Sequence, residues 1–317
     1  MTIVHVTEAT GGLPNSGRLS GTDGDLVGIL DVALPLNGWA IEASSGNSRV
    51  YRPGTGNRFR LCMTDAAASS GAAALTLVRG AENFVSASSW TDPFPTVARI
   101  ADGSSNWLKS SAANTTARNF DIYVGTTWVL MFVNFAGTTN VWEMQGFWDI
   151  PPTLSGDTYN TAICTRNSTS FASTSNNWVT TSVAAGNLSY ALARTYDGTL
   201  KSPTGGPVSQ SNTTFGAIQN SPQAQLGPTT GLDRVKVPFT DAGSTTVTPS
   251  TTLSLPQRGF VPNLWAPLHG GRGSINTRDT FTDTAYNPSA TFRCFCIGNN
   301  TTSGFVIVEE TDTWSPP

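Results

Sequence analysis

Charge is what this chain has least of. Only 12% of its 317 residues are Asp, Glu, Lys or Arg, against about 25% in an ordinary soluble domain. Three lysines (Lys109, Lys201, Lys236) stand among its 18 cationic residues, and there are two histidines and six glutamates. Ser, Thr, Asn and Gly fill positions where charged side chains would normally keep a monomer soluble. A surface so poor in charge is expected to lie against neighbours or to belong to a large particle. The other reading is a secreted polar β-protein with a hydroxyl-rich exterior. The net charge of −3 gives no electrostatic reason to bind nucleic acid or an anionic membrane.

Long apolar runs are also missing. No window approaches the roughly 18 consecutive apolar residues of a membrane helix. The start, Met1 to Glu8, has neither a basic n-region nor an apolar h-region, so no secretory signal is expected and the chain should be made and kept in the cytoplasm. Cysteine is sparse: Cys62, Cys164, Cys294 and Cys296 are too few to staple a chain of this length. Cys294 and Cys296 lie two apart, on one face of a strand, with a Cα separation near the upper limit for a bridge. A zinc site would need two more ligands, and no second close Cys or His pair exists. Buried thiols are the expected state.

Helical periodicity is poor. The Ala-rich segment Asp65 to Leu75 contains Ser69-Ser70-Gly71 and has no sustained 3.6-residue stripe. Strand signals dominate instead. Asn119 to Val124 alternates, Gly125-Thr126 interrupts, and Thr127 to Phe135 runs almost wholly apolar, which predicts a hairpin whose second strand is buried on both faces. Phe292 to Ile297 and Phe305 to Glu310 flank a polar loop and form a similar unit. Phe59 to Met63, Leu75 to Arg79 and Thr161 to Cys164 are further strands, with Val27 to Val32 and Trp39 to Ala43 as two more. Many short strands between Gly/Pro/Asn/Ser turns indicate an all-β fold, a β-sandwich or jelly-roll-like body with long loops or an extended arm and little helix.

Four regions follow: an N-terminal arm over 1–25, a main β-sandwich over 26–201, a Pro/Ser/Thr-rich extended loop or arm over 202–256, and a C-terminal β-hairpin region over 257–317 packed on the main domain. The third holds prolines at 203, 207, 222, 228, 238 and 249, with Leu232 to Phe239 as its one plausible strand. So long a structureless stretch is rare inside an isolated domain. It is a flexible linker or, the favoured reading, an arm that orders against neighbours.

Chemistry is hard to find. His269, in Trp265-Ala266-Pro267-Leu268-His269-Gly270-Gly271-Arg272-Gly273, lies in the most site-like stretch, but no Gly-x-Ser-x-Gly elbow presents a nucleophile. Its simpler reading is a Gly-rich turn. His5 falls in the first few residues, where order is least assured. Gly270 to Gly273 lacks the Gly-Lys-Ser/Thr ending of a phosphate loop. Asp23-Gly24-Asp25 lacks the remaining ligands of a calcium loop. Asp121, Glu143 and Asp149 are candidates for the two acids, about 5–9 Å apart, that glycoside cleavage needs, with tryptophans as sugar platforms. No enzyme, metal or cofactor is expected. Trp39, Trp128, Trp142 and Trp148 belong with strands and read as core. Trp90, Trp107, Trp178, Trp265 and Trp314 lie in or near turns, where aromatics anchor subunit contacts or sugars. The expected subunit contacts are Trp90, Trp178, Trp265, His269 and Trp314.

Several blocks resemble a family of virion structural proteins from tailed bacteriophages. In order they are Gly56 to Leu61, Val78 to Asn83, Asp92-Pro93-Phe94-Pro95-Thr96, Trp107 to Ser111, Ala117-Arg118, Gly146-Phe147-Trp148-Asp149-Ile150 and Ser155 to Tyr159. The C-terminal part adds Gly259 to His269, Asp279-Thr280-Phe281 and Val308 to Trp314. No block matches Ser202 to Ser254. The resemblance implies a non-catalytic component of a virion, assembled in the bacterial cytoplasm. Its partners would be copies of itself, as a trimer or hexamer, and major capsid or tail proteins. A receptor- or glycan-binding tail-fibre adhesin is the alternative, and a surface glycan hydrolase a third.

Overall fold

The computed structural model describes residues 3–55, 59–65, 74–94, 106–135, 137, 142–151, 159–165, 190–193, 232–238, 257–267, 276–282, 287–296 and 305–311. Its first strand, β1 (Val4–Thr7), is followed by helix α1 (Asp25–Ala33). Then come β2 (Ala40–Ser45), β3 (Ser48–Arg52), β4 (Arg60–Thr64), β5 (Ala74–Ala81), β6 (Asn83–Ser86), β7 (Ser89–Thr91) and β8 (Asn106–Ser110). The middle of the chain gives β9 (Phe120–Val124), β10 (Trp128–Val133), β11 (Glu143–Asp149), β12 (Thr161–Thr165) and β13 (Tyr190–Ala193). Last are β14 (Leu232–Pro238), β15 (Gln257–Pro267), β16 (Thr280–Phe281), β17 (Phe292–Cys296) and β18 (Phe305–Glu309). The fold is all-β, with one short α-helix among the described residues.

Three antiparallel sheets stack as layers. The central one runs β1-β9-β10-β11-β12-β13, the N-terminal one β2-β3-β4-β5-β8, and the C-terminal one β14-β15-β18-β17-β16; β6 and β7 form a separate ribbon. Register explains the layering. Side chains directly opposite across a pair share a face, and neighbours along a strand alternate. Phe120, Ile122 and Val124 stand opposite Val133, Met131 and Val129, and all six join the core that α1 and the N-terminal sheet complete. Tyr123, Leu130, Phe132 and Met144 face the other way, onto Val261, Leu264, Phe295, Val306 and Val308 of the C-terminal sheet. Both faces of the middle layer are thus covered, and every residue of β10 is buried. That is why its sequence reads as an unbroken apolar run. Phe295 locks the second interface, stacked on Phe132 at 4.0 Å with Tyr123 and Trp142 at its sides.

The β9–β10 hairpin forms where expected, with Val124 opposite Val129. Its turn needs glycine at 125, because a Cβ there would strike the Trp128 indole. β17 and β18 pair as expected too.

Three expectations change. Val27 to Val32, read as a strand, lies within α1. Its branched residues suggested β-structure, yet Leu26, Ile29, Leu30 and Ala33 fall at three- and four-residue spacings and are all buried, which is a helical stripe. Residues 3–25 are not a projecting arm. β1 pairs along its length with β9, Leu13 and Leu19 are buried, and Leu19 bridges to Arg118. Finally, β15 occupies Gln257–Pro267, a strand not singled out in the sequence, and carries Trp265, which was expected in or near a turn. Pro262 and the left-handed Asn263 (φ 55°) disguised it. Hydrogen bonding also crosses two expected boundaries: β1 joins the central sheet, and β14, from 202–256, joins the C-terminal one. The rest of 202–256 lies outside the described residues.

Candidate functional site

Polar side chains converge where β1 meets β9 and the C-terminal sheet. His5 Nε2 lies 2.8 Å from Asp121 Oδ1, and His5 Nδ1 lies 3.5 Å from Glu310 Oε1. The imidazole stacks on Tyr123, with centroids 4.3 Å apart and planes 7° from parallel. Tyr123 donates its hydroxyl to Glu310 Oε1 at 2.7 Å. Arg278 donates Nε to Asp121 Oδ2 at 2.6 Å, and Nη1 and Nη2 to the two Glu8 oxygens at 2.7 Å each. Nη2 also reaches the Phe120 carbonyl, and the guanidinium carbon lies 5.0 Å from the Trp142 ring centroid. Arg293 donates Nε to Glu310 Oε1 at 2.6 Å and Nη1 to the Arg278 carbonyl at 3.0 Å.

Strand alternation puts His5 and Asp121 here. Val6 enters the core below the central sheet, so its neighbour His5 turns to the opposite face. Asp121 shares that face because it stands opposite Phe132. Burial works to raise the Glu8 carboxyl, but bonds from Arg278 and the Phe120 N–H outweigh it and hold it below its ordinary value. Burial works to lower Arg278, and Glu8 with Asp121 outweighs that and holds it above the usual arginine range. Burial, reinforced by the Glu310 and Asp121 charges, pushes the Tyr123 phenol well up.

The two acids face opposite ring nitrogens of His5, so they share no point at which a cation could sit. Among the described residues no group of three or more His, Cys, Asp or Glu is placed to hold a metal. Chemically, the cluster is a junction. It ties the start of the chain, the central sheet and the C-terminal sheet through charge-assisted bonds, several of them bidentate.

A second polar centre is wholly internal. Asp65 accepts from the N–H of Leu26 (2.9 Å) and Val27 (3.3 Å), from Thr76 Oγ1 (2.7 Å) and from Lys109 Nζ (2.5 Å). It caps α1 from a remote position, supplying the acceptor that a local cap would otherwise provide. Burial pushes its carboxyl up, against the pull of Lys109 and the other donors.

The sequence-based sites are redistributed. Trp265, expected at a subunit contact, is 3% exposed. Its Nε1 donates to Glu309 Oε2 at 3.0 Å and its ring meets Phe292 edge-on, so it is core. Trp107 is likewise buried, donating to the Cys164 carbonyl. Trp90 is half-buried on the β6–β7 ribbon, against Val50, Cys62 and Ala81. Trp178, His269 and Trp314 lie outside the described residues. Asp121, Glu143 and Asp149 do not make an acid pair. Asp121 faces the C-terminal sheet, while Glu143, opposite Val133, faces the other layer. Asp149 shares that second face but is six residues along β11, about 20 Å away at strand rise. Cys62, Cys164 and Cys294 are buried and in no disulfide, and burial pushes the Cys62 and Cys164 thiols up.

No protein-family model matches the chain, and no curated protein matches it. No helix among the described residues is long and apolar enough to cross a membrane.

Proposed function

We propose that this chain is a structural component of a tailed-phage virion that self-associates and docks on the capsid or tail. The observation that carries the reading is where its few charges sit. Charged side chains are seldom fully buried in ordinary proteins. Here Asp25, Asp65, Arg79, Lys109, Arg118, Asp121, Glu143 and Glu309 are all buried, at least eight of 39. Others are held in ion pairs, such as Arg49 with Asp31 and Arg60 with Glu42. Several of the chain's few charges are thus spent inside or in ion pairs, and not all of them are left to keep the surface solvated.

Such a surface is suited to contact rather than to a free monomer. It also offers places to make contact. β2 is an edge strand of the N-terminal sheet, with Ile41 41% exposed, and unpaired strand edges take partners. The β6–β7 ribbon exposes Val85 at 80%. The tryptophans weigh against a sugar platform: Trp39, Trp107, Trp128, Trp142, Trp148 and Trp265 are buried.

The test is protein content. Particles purified from a lysate of the phage that encodes this chain, washed in high salt, should retain it in many copies per particle by quantitative mass spectrometry. Particles that lack it, while the chain is abundant in the unassembled fraction, would refute the reading.

A further inference from the structure

Beside the junction, the turn at 15–18 and the segment leading into β9 enclose an open cavity of about 570 Å³, lined in part by Glu8, Asn15, Ser16, Arg18, Arg118 and Asn119. Its charge is unbalanced. Glu8 is already neutralised, since both its oxygens accept from Arg278. That leaves two guanidinium groups.

Arg118 is 7% exposed. Its Nε donates to Ser110 Oγ at 2.9 Å and its Nη2 to Ser111 Oγ at 3.4 Å, both neutral oxygens. Gly137 lies against Nη1, where a Cβ would collide. No carboxylate reaches Arg118 among the described residues, and burial without an acid to offset it holds this arginine below its usual range. Arg18 is exposed; its backbone N–H donates to the Asn15 carbonyl at 3.2 Å, and its guanidinium makes no hydrogen bond or ion pair among the described residues. The contrast with other arginines is sharp. Arg49, Arg52, Arg60, Arg278 and Arg293 all meet carboxylates. A buried cation with only neutral partners is costly unless something compensates it.

The wall opposite is held firmly. Asn15 (φ 51°) and Ser16 (φ 56°) adopt the left-handed backbone without being glycine, a conformation found at ligand clamps. Asn15 Nδ2 is fixed by Asp25 Oδ1 at 2.8 Å. The Ser16 hydroxyl on this wall and the Asn119 amide beside Arg118 add neutral donors. A volume of this order suits a ligand larger than a bare ion.

We propose that this cavity is an oxyanion site, in which Arg18 and Arg118 receive a carboxylate or phosphate group. The chemistry is the same whether the group is free in solution or carried on an acidic side chain of a neighbouring copy. The inference does not depend on the virion reading.

The test uses the full chain, wild type and Arg18→Gln, titrated with inorganic phosphate at constant ionic strength by calorimetry. The Arg18 side chain makes no hydrogen bond or ion pair among the described residues, and its backbone bond to Asn15 survives substitution, so its replacement should leave the fold intact by circular dichroism. Wild type should bind phosphate, and Arg18→Gln should bind about tenfold more weakly or not at all, as loss of a charged donor implies. Equal binding by both, or no binding above a chloride-matched control, overturns the site. Solution mass separates the sources. If a neighbour's acid is the occupant, Arg18→Gln lowers the oligomeric fraction and phosphate does the same to wild type. If the occupant is free, mass is unchanged. A monomer that binds phosphate through Arg18 would sink self-association and keep the site.

Discussion

Asp65 and Lys109 meet at 2.5 Å with neither side chain exposed, whereas the five polar side chains around Asp121 (His5, Glu8, Arg278, Arg293 and Glu310) keep 15–32% of their surface in water. The first centre is local: it fastens α1 to β4, β5 and β8 within one layer. The second spans the chain, joining Glu8 to Arg278 across a sequence separation of 270. The difference is energetic. In the interior, desolvation nearly cancels the attraction, so a buried pair adds little net stability but leaves a severe penalty when halved. At the edge, water screens each pair, so no single bond dominates, and strength comes from several bonds acting on the same few groups.

The largest effect should come from halving the buried pair. Lys109→Met leaves Asp65 charged and without a cation in the interior, which should cost about 3–5 kcal/mol in urea denaturation. A loss below about 1 kcal/mol would show that the backbone N–H donors alone sustain Asp65. At the junction, Arg278→Met removes bonds to Glu8, Asp121 and the Phe120 carbonyl together. After allowance for solvent access, a loss of about 2 kcal/mol is expected, with amide exchange rising first in β1. Uniform exchange across the three sheets would contradict the junction's role in holding β1.

Acid should separate the two centres more gently. Glu8 is held below its ordinary value of 4.5 in the folded chain. Its contribution is therefore present above about 4.5 and is lost as pH falls through the lower folded value. Asp65 is shifted the other way, so protonation relieves a penalty there instead. Glu8→Gln should flatten the acid limb of thermal stability against pH. An unchanged limb would mean that other carboxylates, such as Glu42, govern it.

What was legible in the sequence was whatever depends on neighbours in the chain. The β9–β10 hairpin showed through alternation, a Gly-Thr turn and an apolar run, and β17 with β18 through the same signals. What was not legible depends on distant residues. α1 is capped by Asp65, some 40 positions away, and a nine-residue helix rich in Val and Ile has the composition of a strand. β15 was hidden because Pro262 and Asn263 are poor strand residues, and Trp265 was placed near a turn because glycines crowd the sequence just after it. The junction draws on residues 5, 8, 121, 278, 293 and 310. One trace of it existed: Arg278-Asp279-Thr280-Phe281 stands out as a charged pair before a strand, in a chain where charge is scarce. Nothing local marked His5, which owes its place to pairing with β9.

The account stands on self-association of a charge-poor surface, and solution mass tests that most directly. Native mass spectrometry or light scattering at about ten micromolar should give three or six times the 33.4 kDa of one chain. A single 33.4 kDa species, unchanged on concentration, would contradict it.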